Sequence, residues 1–175
     1  MSEGGIQTRR LFLALWPDDA VRTRLAALAR QHTRHPVQAA NLHMTLHFLG
    51  ACTPEQQQCY IKVISGIKFQ SFVLKLDYIG AWPRSRIQWL GISETSPALG
   101  ELVGALAGAL TGCDYRPDER RFVPHITLSR QARNPRIRAG LVPVVWPVDA
   151  FVLAESLRID GQVYYRVLER WRSQD

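Results

Sequence analysis

Along the chain the spacing of apolar positions switches between a period of two and a period near 3.6, and the order of switching repeats. Residues 10 to 16 are a nearly unbroken apolar run, the pattern of a buried strand. Pro17-Asp18 then opens a helix with Val21, Leu25, Leu28 and Ala29 on one face. His32 and His35 follow in a polar stretch read as a loop without a role, and an alternating strand over 42–49 closes at Gly50. Thr53-Pro54-Glu55-Gln56 is a capping box with Pro at the first helical position, which predicts a helix to about Ser65. Two strands are expected near 71–78 and 86–92, turning around Trp82-Pro83-Arg84-Ser85. Ser96-Pro97 starts a helix carrying Leu99, Leu102, Val103, Leu106 and Leu110, with Gly112 as its stop. A second short alternating strand surrounds residue 126, and the Pro- and Arg-rich stretch 131–147 reads as irregular. Residues 150–159 and 162–170 form a hairpin about Asp160-Gly161.

The two alternating strands carry the same tetrapeptide pattern. His43-Met44-Thr45-Leu46 and His125-Ile126-Thr127-Leu128 stand 82 residues apart in a chain with five His and eight Thr. Strand alternation puts Leu42, Met44, Leu46 and Phe48 on one face and His43, Thr45 and His47 on the other. In the second copy Pro124, Ile126 and Leu128 oppose His125, Thr127 and Ser129. Each strand thus buries one face and offers an imidazole with a hydroxyl on the other. Each is preceded by a helix. The pattern predicts an α+β fold of two lobes related by a rough twofold, in one domain over 1–175 with no clear linker.

At 175 residues the chain can bury a substantial core, and its net charge of +7 fits a polyanionic partner such as nucleic acid. The excess is concentrated: seven Arg lie between Arg116 and Arg138, against Asp118 and Glu119 alone. That segment brackets the second His-x-Thr strand, where guanidinium groups suit phosphate. Cys52, Cys59 and Cys113 are odd in number and form no C-x-x-C, so the expectation is free thiols in a reducing, cytoplasmic setting. Arg9-Arg10 before an apolar run has the look of a twin-arginine export signal, but the run ends after six residues at Trp16-Pro17 and reads better as a strand. No stretch is long and apolar enough for a membrane helix.

Two imidazoles on facing strands can act as complementary proton carriers near neutral pH, because an ordinary pKa near 6.5 allows one neutral and one protonated. The pair suits in-line displacement at phosphorus, one taking a proton from the nucleophile and the other giving one to the leaving oxygen. Each Thr hydroxyl can donate to a non-bridging phosphate oxygen. His43 and His47 do have H-x-x-x-H spacing, but the motif lacks the Glu of a zinc protease and alternates like a strand. No metal and no other cofactor is expected, and His47 is expected beside His43 on the polar face. Which imidazole is acid and which is base stays open at this level.

These residues resemble the 2H phosphoesterase superfamily, named for its paired His-x-Thr-x motifs, and within it the bacterial RNA 2′,3′-cyclic phosphodiesterase (2′-5′ RNA ligase) branch. The likeness rests on Arg10-Leu11-Phe12-Leu13-Ala14-Leu15, on Leu42 to Gly50 and on Pro124 to Leu128, and it extends over essentially the whole chain. It implies two lobes of mainly antiparallel sheet with outer helices and a central cleft. It implies hydrolysis of a ribose 2′,3′-cyclic phosphate to a 2′-phosphomonoester, with reversible 2′-5′ joining as a related activity. By the resemblance His43 is the proton donor, His125 the proton acceptor, and Thr45 and Thr127 hold the phosphate. Phe48 and Arg130, each five residues after its His, are implied to flank the terminal nucleobase. Strict alternation would turn both toward the core, so that role requires each strand to end or twist first. The expected partner is an RNA end, tRNA fragments included, and the expected state a monomer. Two other readings remain: a non-catalytic RNA-binding module, and a phosphodiesterase of small cyclic nucleotides.

Overall fold

The computed structural model describes residues 7–175; residues 1–6 of the expected domain lie outside the described part. In chain order the elements are β1 (Arg9–Leu15), α1 (Asp19–His32), β2 (Met44–Cys52), α2 (Pro54–Ile64), β3 (Phe72–Leu76), β4 (Tyr78–Trp82), β5 (Ile87–Gly91), α3 (Pro97–Leu110), β6 (His125–Ser129), β7 (Val144–Val148), β8 (Ala150–Ile159) and β9 (Gln162–Arg172). Helix starts obey their caps. Asp18 accepts from Val21 N–H, Thr53 and Gln56 form the reciprocal capping box, and Ser96 accepts from Leu99 N–H. At the β8–β9 turn Asp160 and Gly161 both take positive φ (50° and 79°), the conformation of a two-residue hairpin turn that matches strand twist.

Seven strands make one antiparallel sheet in the order β4-β5-β6-β2-β1-β8-β9, while β3 and β7 pair separately. The order around the centre is mirrored: β5, α3 and β6 stand on one side as β1, α1 and β2 do on the other. The two units meet at a single registered pair, Met44 with Ile126. One face of the sheet carries the main core, where Leu11, Leu13, Leu15, Met44, Leu46, Ile126 and Leu128 pack with apolar residues of all three helices. On the other face a smaller cluster of Phe12, Ala14, Val152 and Ala154 lies beneath Trp16 and Tyr165.

Three expectations are corrected. The run 71–78 is two strands, because Asp77 breaks it: its carboxylate accepts from Ser93 N–H and Oγ–H, and β3 and β4 enter different sheets. The stretch 131–147 is irregular only in its first part. Val144, Trp146 and Val148 alternate into the core as β7, and Pro147 is tolerated in a two-stranded sheet where every strand is an edge. Finally, Cys59 on α2 and Cys113 just beyond α3 are joined in a disulfide, with their Cα atoms 5.9 Å apart, and Cys52 alone is a buried free thiol. Packing α2 beside α3 creates that proximity across 54 residues, which no local spacing foretells.

Candidate active site

The placement of the site depends on two matching irregularities in the ladders. Between β1 and β2, Ala14 pairs with Thr45 and Leu13 with His47, so Leu46 is an extra residue. Between β5 and β6, Trp89 pairs with Thr127 and Gln88 with Ser129, so Leu128 is extra in the same way. A bulge of one residue reverses the side on which every later side chain falls. His47 is therefore turned to the helix side of the sheet, where it bonds the Val103 carbonyl of α3 (2.8 Å) and approaches the Tyr115 hydroxyl (3.3 Å). Ser129 is likewise moved off the Thr127 face and buried. Phe48, opposite Phe12, comes to the His43 side with 71% of its surface exposed. Arg130 is exposed too. The expected grouping of His47 with His43, of Ser129 with His125 and of Phe48 with the core is thus overturned by the bulges. The same bulges remove the obstacle to Phe48 and Arg130 facing the cleft.

The two motif histidines are held alike. His43 donates Nδ1–H to the carbonyl of Asn41 at 2.7 Å, and His125 donates Nδ1–H to that of Val123 at 2.7 Å. A carbonyl can only accept, so each neutral ring keeps its proton on Nδ1 and presents the Nε2 lone pair. Asn41 ends a 3-10 turn (Ala39–Asn41) and is tied by its own side chain to the Val163 carbonyl of β9 at 2.8 Å. Thr45 Oγ–H lies 3.0 Å from His43 Nε2 and can donate to it.

Aromatic walls surround each ring. His43 stacks on Trp16 (centroids 5.5 Å apart, 17° between planes) and meets Phe12 at 5.0 Å and the edge of Tyr165 at 4.8 Å. Arg22 lies over the Trp16 ring and donates to the Pro17 carbonyl, which steadies that wall. His125 sits edge-on to Trp82 at 4.7 Å and to Trp89 at 6.1 Å. Trp89 lies across Gly80 and Gly91: a Cβ on Gly80 would overlap the indole ring, and one on Gly91 would come within 2.7 Å of it. The Trp89 Nε1–H is buried without a partner among the described residues. None of Trp16, Tyr165, Trp82 and Trp89 was picked out by the motif; only Trp16, directly after the first strand, had a position in sequence that could have marked it.

Burial pushes the His43 imidazole down to about 4; the Asn41 carbonyl opposes this, while Arg130, His125 and Arg22 add repulsion. His125 is pushed down by burial as well, with the Val123 carbonyl opposing and Arg130 adding to the shift. Both rings are therefore neutral at pH 7. An arriving phosphate monoanion acts in the reverse direction and favours the imidazolium. His43, Thr127 and Arg130 line one cavity of about 570 Å³ with Asn41 and Tyr165, and no carboxylate lines it among the described residues. His125, Thr45 and Phe48 are not among the residues lining that cavity. His35, set aside on sequence as a loop residue, does line it.

Comparison with known proteins gives a consistent result. A family model described as LigT-like phosphoesterase matches residues 15–89. The chain is 32% identical to an RNA 2′,3′-cyclic phosphodiesterase of Escherichia coli strain K12, covering 94% of this chain and 97% of that one. It is 31% identical to a protein of the same name from Thermus thermophilus, over 93% and 89% of the two. Its fold superposes on the crystal structure of E. coli LigT complexed with 3′-AMP with a TM-score of 0.88 and 30% identity, over 97% of this chain and 100% of the other.

Proposed function

From the premise that the chain belongs to the LigT-like phosphoesterases of the 2H superfamily, we propose that it is a metal-independent hydrolase of RNA 2′,3′-cyclic phosphate ends, giving a 2′-phosphomonoester. The observation that carries the reading is the matched pair of imidazoles, each tied through Nδ1 to the carbonyl two residues before it, so that Nε2 is the proton-exchanging nitrogen, with a Thr on the same face. In this reading the cyclic phosphate binds between Thr45 and Thr127, whose hydroxyls donate to its non-bridging oxygens. His125 Nε2 takes a proton from water as the water oxygen attacks phosphorus. His43, protonated as the anion enters, gives its proton to O3′ as the P–O3′ bond breaks. The products are a 2′-phosphate and a 3′-hydroxyl. With a 5′-hydroxyl in place of water the same displacement joins two ends through a 2′-5′ linkage. Phe48 and Arg130 flank the terminal base. The reading is of one domain whose two β–α–β units supply half of the site each, a cytoplasmic monomer acting on RNA ends, tRNA fragments among them.

The test is product analysis on a short RNA with a 2′,3′-cyclic end, in the presence of EDTA. A 2′-phosphomonoester is expected. A 3′-phosphate would reverse the assigned leaving group. Binding without turnover would favour an RNA-binding module, and turnover of mononucleotides alone would favour a small-substrate enzyme.

A further inference from the structure

A second cavity lies where the C-terminal end of α1 meets the 129–138 segment, and the reaction above makes no use of it. It measures about 690 Å³ and is lined by His32, His35, Arg34, Arg133, Arg136 and Arg138, and by no Asp or Glu among the described residues. None of these four arginines forms an ion pair among the described residues. Burial and then Arg138 push the His32 imidazole down, so the groups here already resist further positive charge. The backbone presenting the arginines is pinned. Ile79 and Arg138 exchange N–H···O bonds of 2.8 and 2.9 Å, Ala132 N–H donates to the Arg86 carbonyl at 2.9 Å, and the buried Gln88 amide donates to the Arg136 carbonyl at 3.0 Å. Guanidinium groups without counter-charges on a fixed backbone form a site for anions with several acceptor oxygens.

The cavity also adjoins the one at His43. Arg34, His35 and Gln131 line both. A third, of about 310 Å³, shares Arg130 with the His43 cavity and Arg133 with the arginine-lined one, and His35 and Gln131 line all three. A 2′,3′-cyclic phosphate uses both the 2′ and the 3′ oxygens of the terminal ribose, so the strand can leave the catalytic centre only through O5′. Its next groups in line are internal phosphodiesters. We propose that the cavity between α1 and the 129–138 segment binds internal phosphodiesters of a single-stranded RNA whose cyclic end occupies the His43–Thr127 cavity. The proposal rests on the functional reading above and extends it from the reacting end to the strand behind it.

The experiment compares kcat/KM for a 2′,3′-cyclic mononucleotide and for a hexanucleotide with the same end, in the wild type, in Arg133→Gln/Arg136→Gln and in Arg138→Gln. The wild type should favour the hexanucleotide, and each variant should reduce that preference, by about tenfold in the double variant, mainly through KM. The slope of log KM against log salt should fall by about one for each phosphate that the variant no longer neutralises. A hexanucleotide preference that is absent in the wild type or unchanged in both variants overturns the proposal. If the wild type cleaves no cyclic end, the functional reading fails instead. The cavity is then judged by fluorescence anisotropy with a labelled hexanucleotide bearing a 3′-phosphate: weaker binding by both variants supports it, and equal binding overturns it.

Discussion

The β2 and β6 strands run the same local program in different surroundings. Both bulge at the residue after the Thr, both tie Nδ1 of the histidine to a carbonyl two residues back, and both then release a side chain to the cleft. Their neighbouring strands differ by an exchange of large for small. Beside β2, Ala14 faces Thr45 and Trp16 stacks on His43. Beside β6, Trp89 faces Thr127 and Gly91 faces His125. His43 is consequently boxed by three aromatic rings with its Nε2 engaged by Thr45, while His125 meets two indoles edge-on. The same bulge and the same Nδ1 tether deliver the imidazoles, and the unequal aromatic shell distinguishes them. Near neutral pH a ring pushed to about 4 takes up a proton only when a neighbouring anion favours the imidazolium, which suits the donor role proposed for His43.

The most severe way to break the comparison is to remove either ring. His43→Ala and His125→Ala should each lower kcat by about 10²–10⁴-fold, the usual contribution of a positioned proton carrier, in single-turnover assays unaffected by EDTA. Near-wild-type rates in either would defeat the pairing. Thr45→Val and Thr127→Val should each cost on the order of 10²-fold in kcat as phosphate donors. They should separate in pH dependence, because only Thr45 touches its own histidine: the profile of Thr45→Val should move, and that of Thr127→Val should keep its shape.

The released residues sharpen the contrast further. Phe48→Ala should raise KM by about tenfold by removing the stacked ring, with kcat little changed. Arg130→Gln should also weaken binding. Because the guanidinium depresses both imidazoles, its loss should in addition move the acid limb of kcat/KM to higher pH. The smallest effect is on stability. His43 holds fewer protons folded than unfolded over the range from 6.5 to about 4, so its contribution is complete above pH 6.5 and lost as pH falls toward 4. Urea midpoints should drop over that interval by an amount worth about 3 kcal/mol at most, and less steeply in His43→Gln.

Much of this was legible in the sequence where the cause is local. The caps at Asp18, Thr53 and Ser96, the Asp160-Gly161 turn and the two histidines with their threonines all depend on neighbours within a few residues. The bulges were not, because Leu46 and Leu128 are ordinary buried leucines and the extra residue is defined only against the partner strand. Strict alternation therefore put His47 and Phe48 on β2 and Ser129 on β6 on the wrong side. The Cys59–Cys113 bridge and the aromatic walls were hidden for a related reason: their partners are supplied by tertiary packing over long separations.

The bed of Trp89 has a consequence for how this protein can vary. Gly80 and Gly91 bear no functional group, yet a single added methyl at Gly80 would contest the volume held by the indole, and the indole in turn borders His125. The bed of the His125 imidazole is thus kept by two vacancies in the side-chain inventory. Substitution at either is closed off by shape alone, and a change too small to alter charge or polarity there would be felt at the His125 ring.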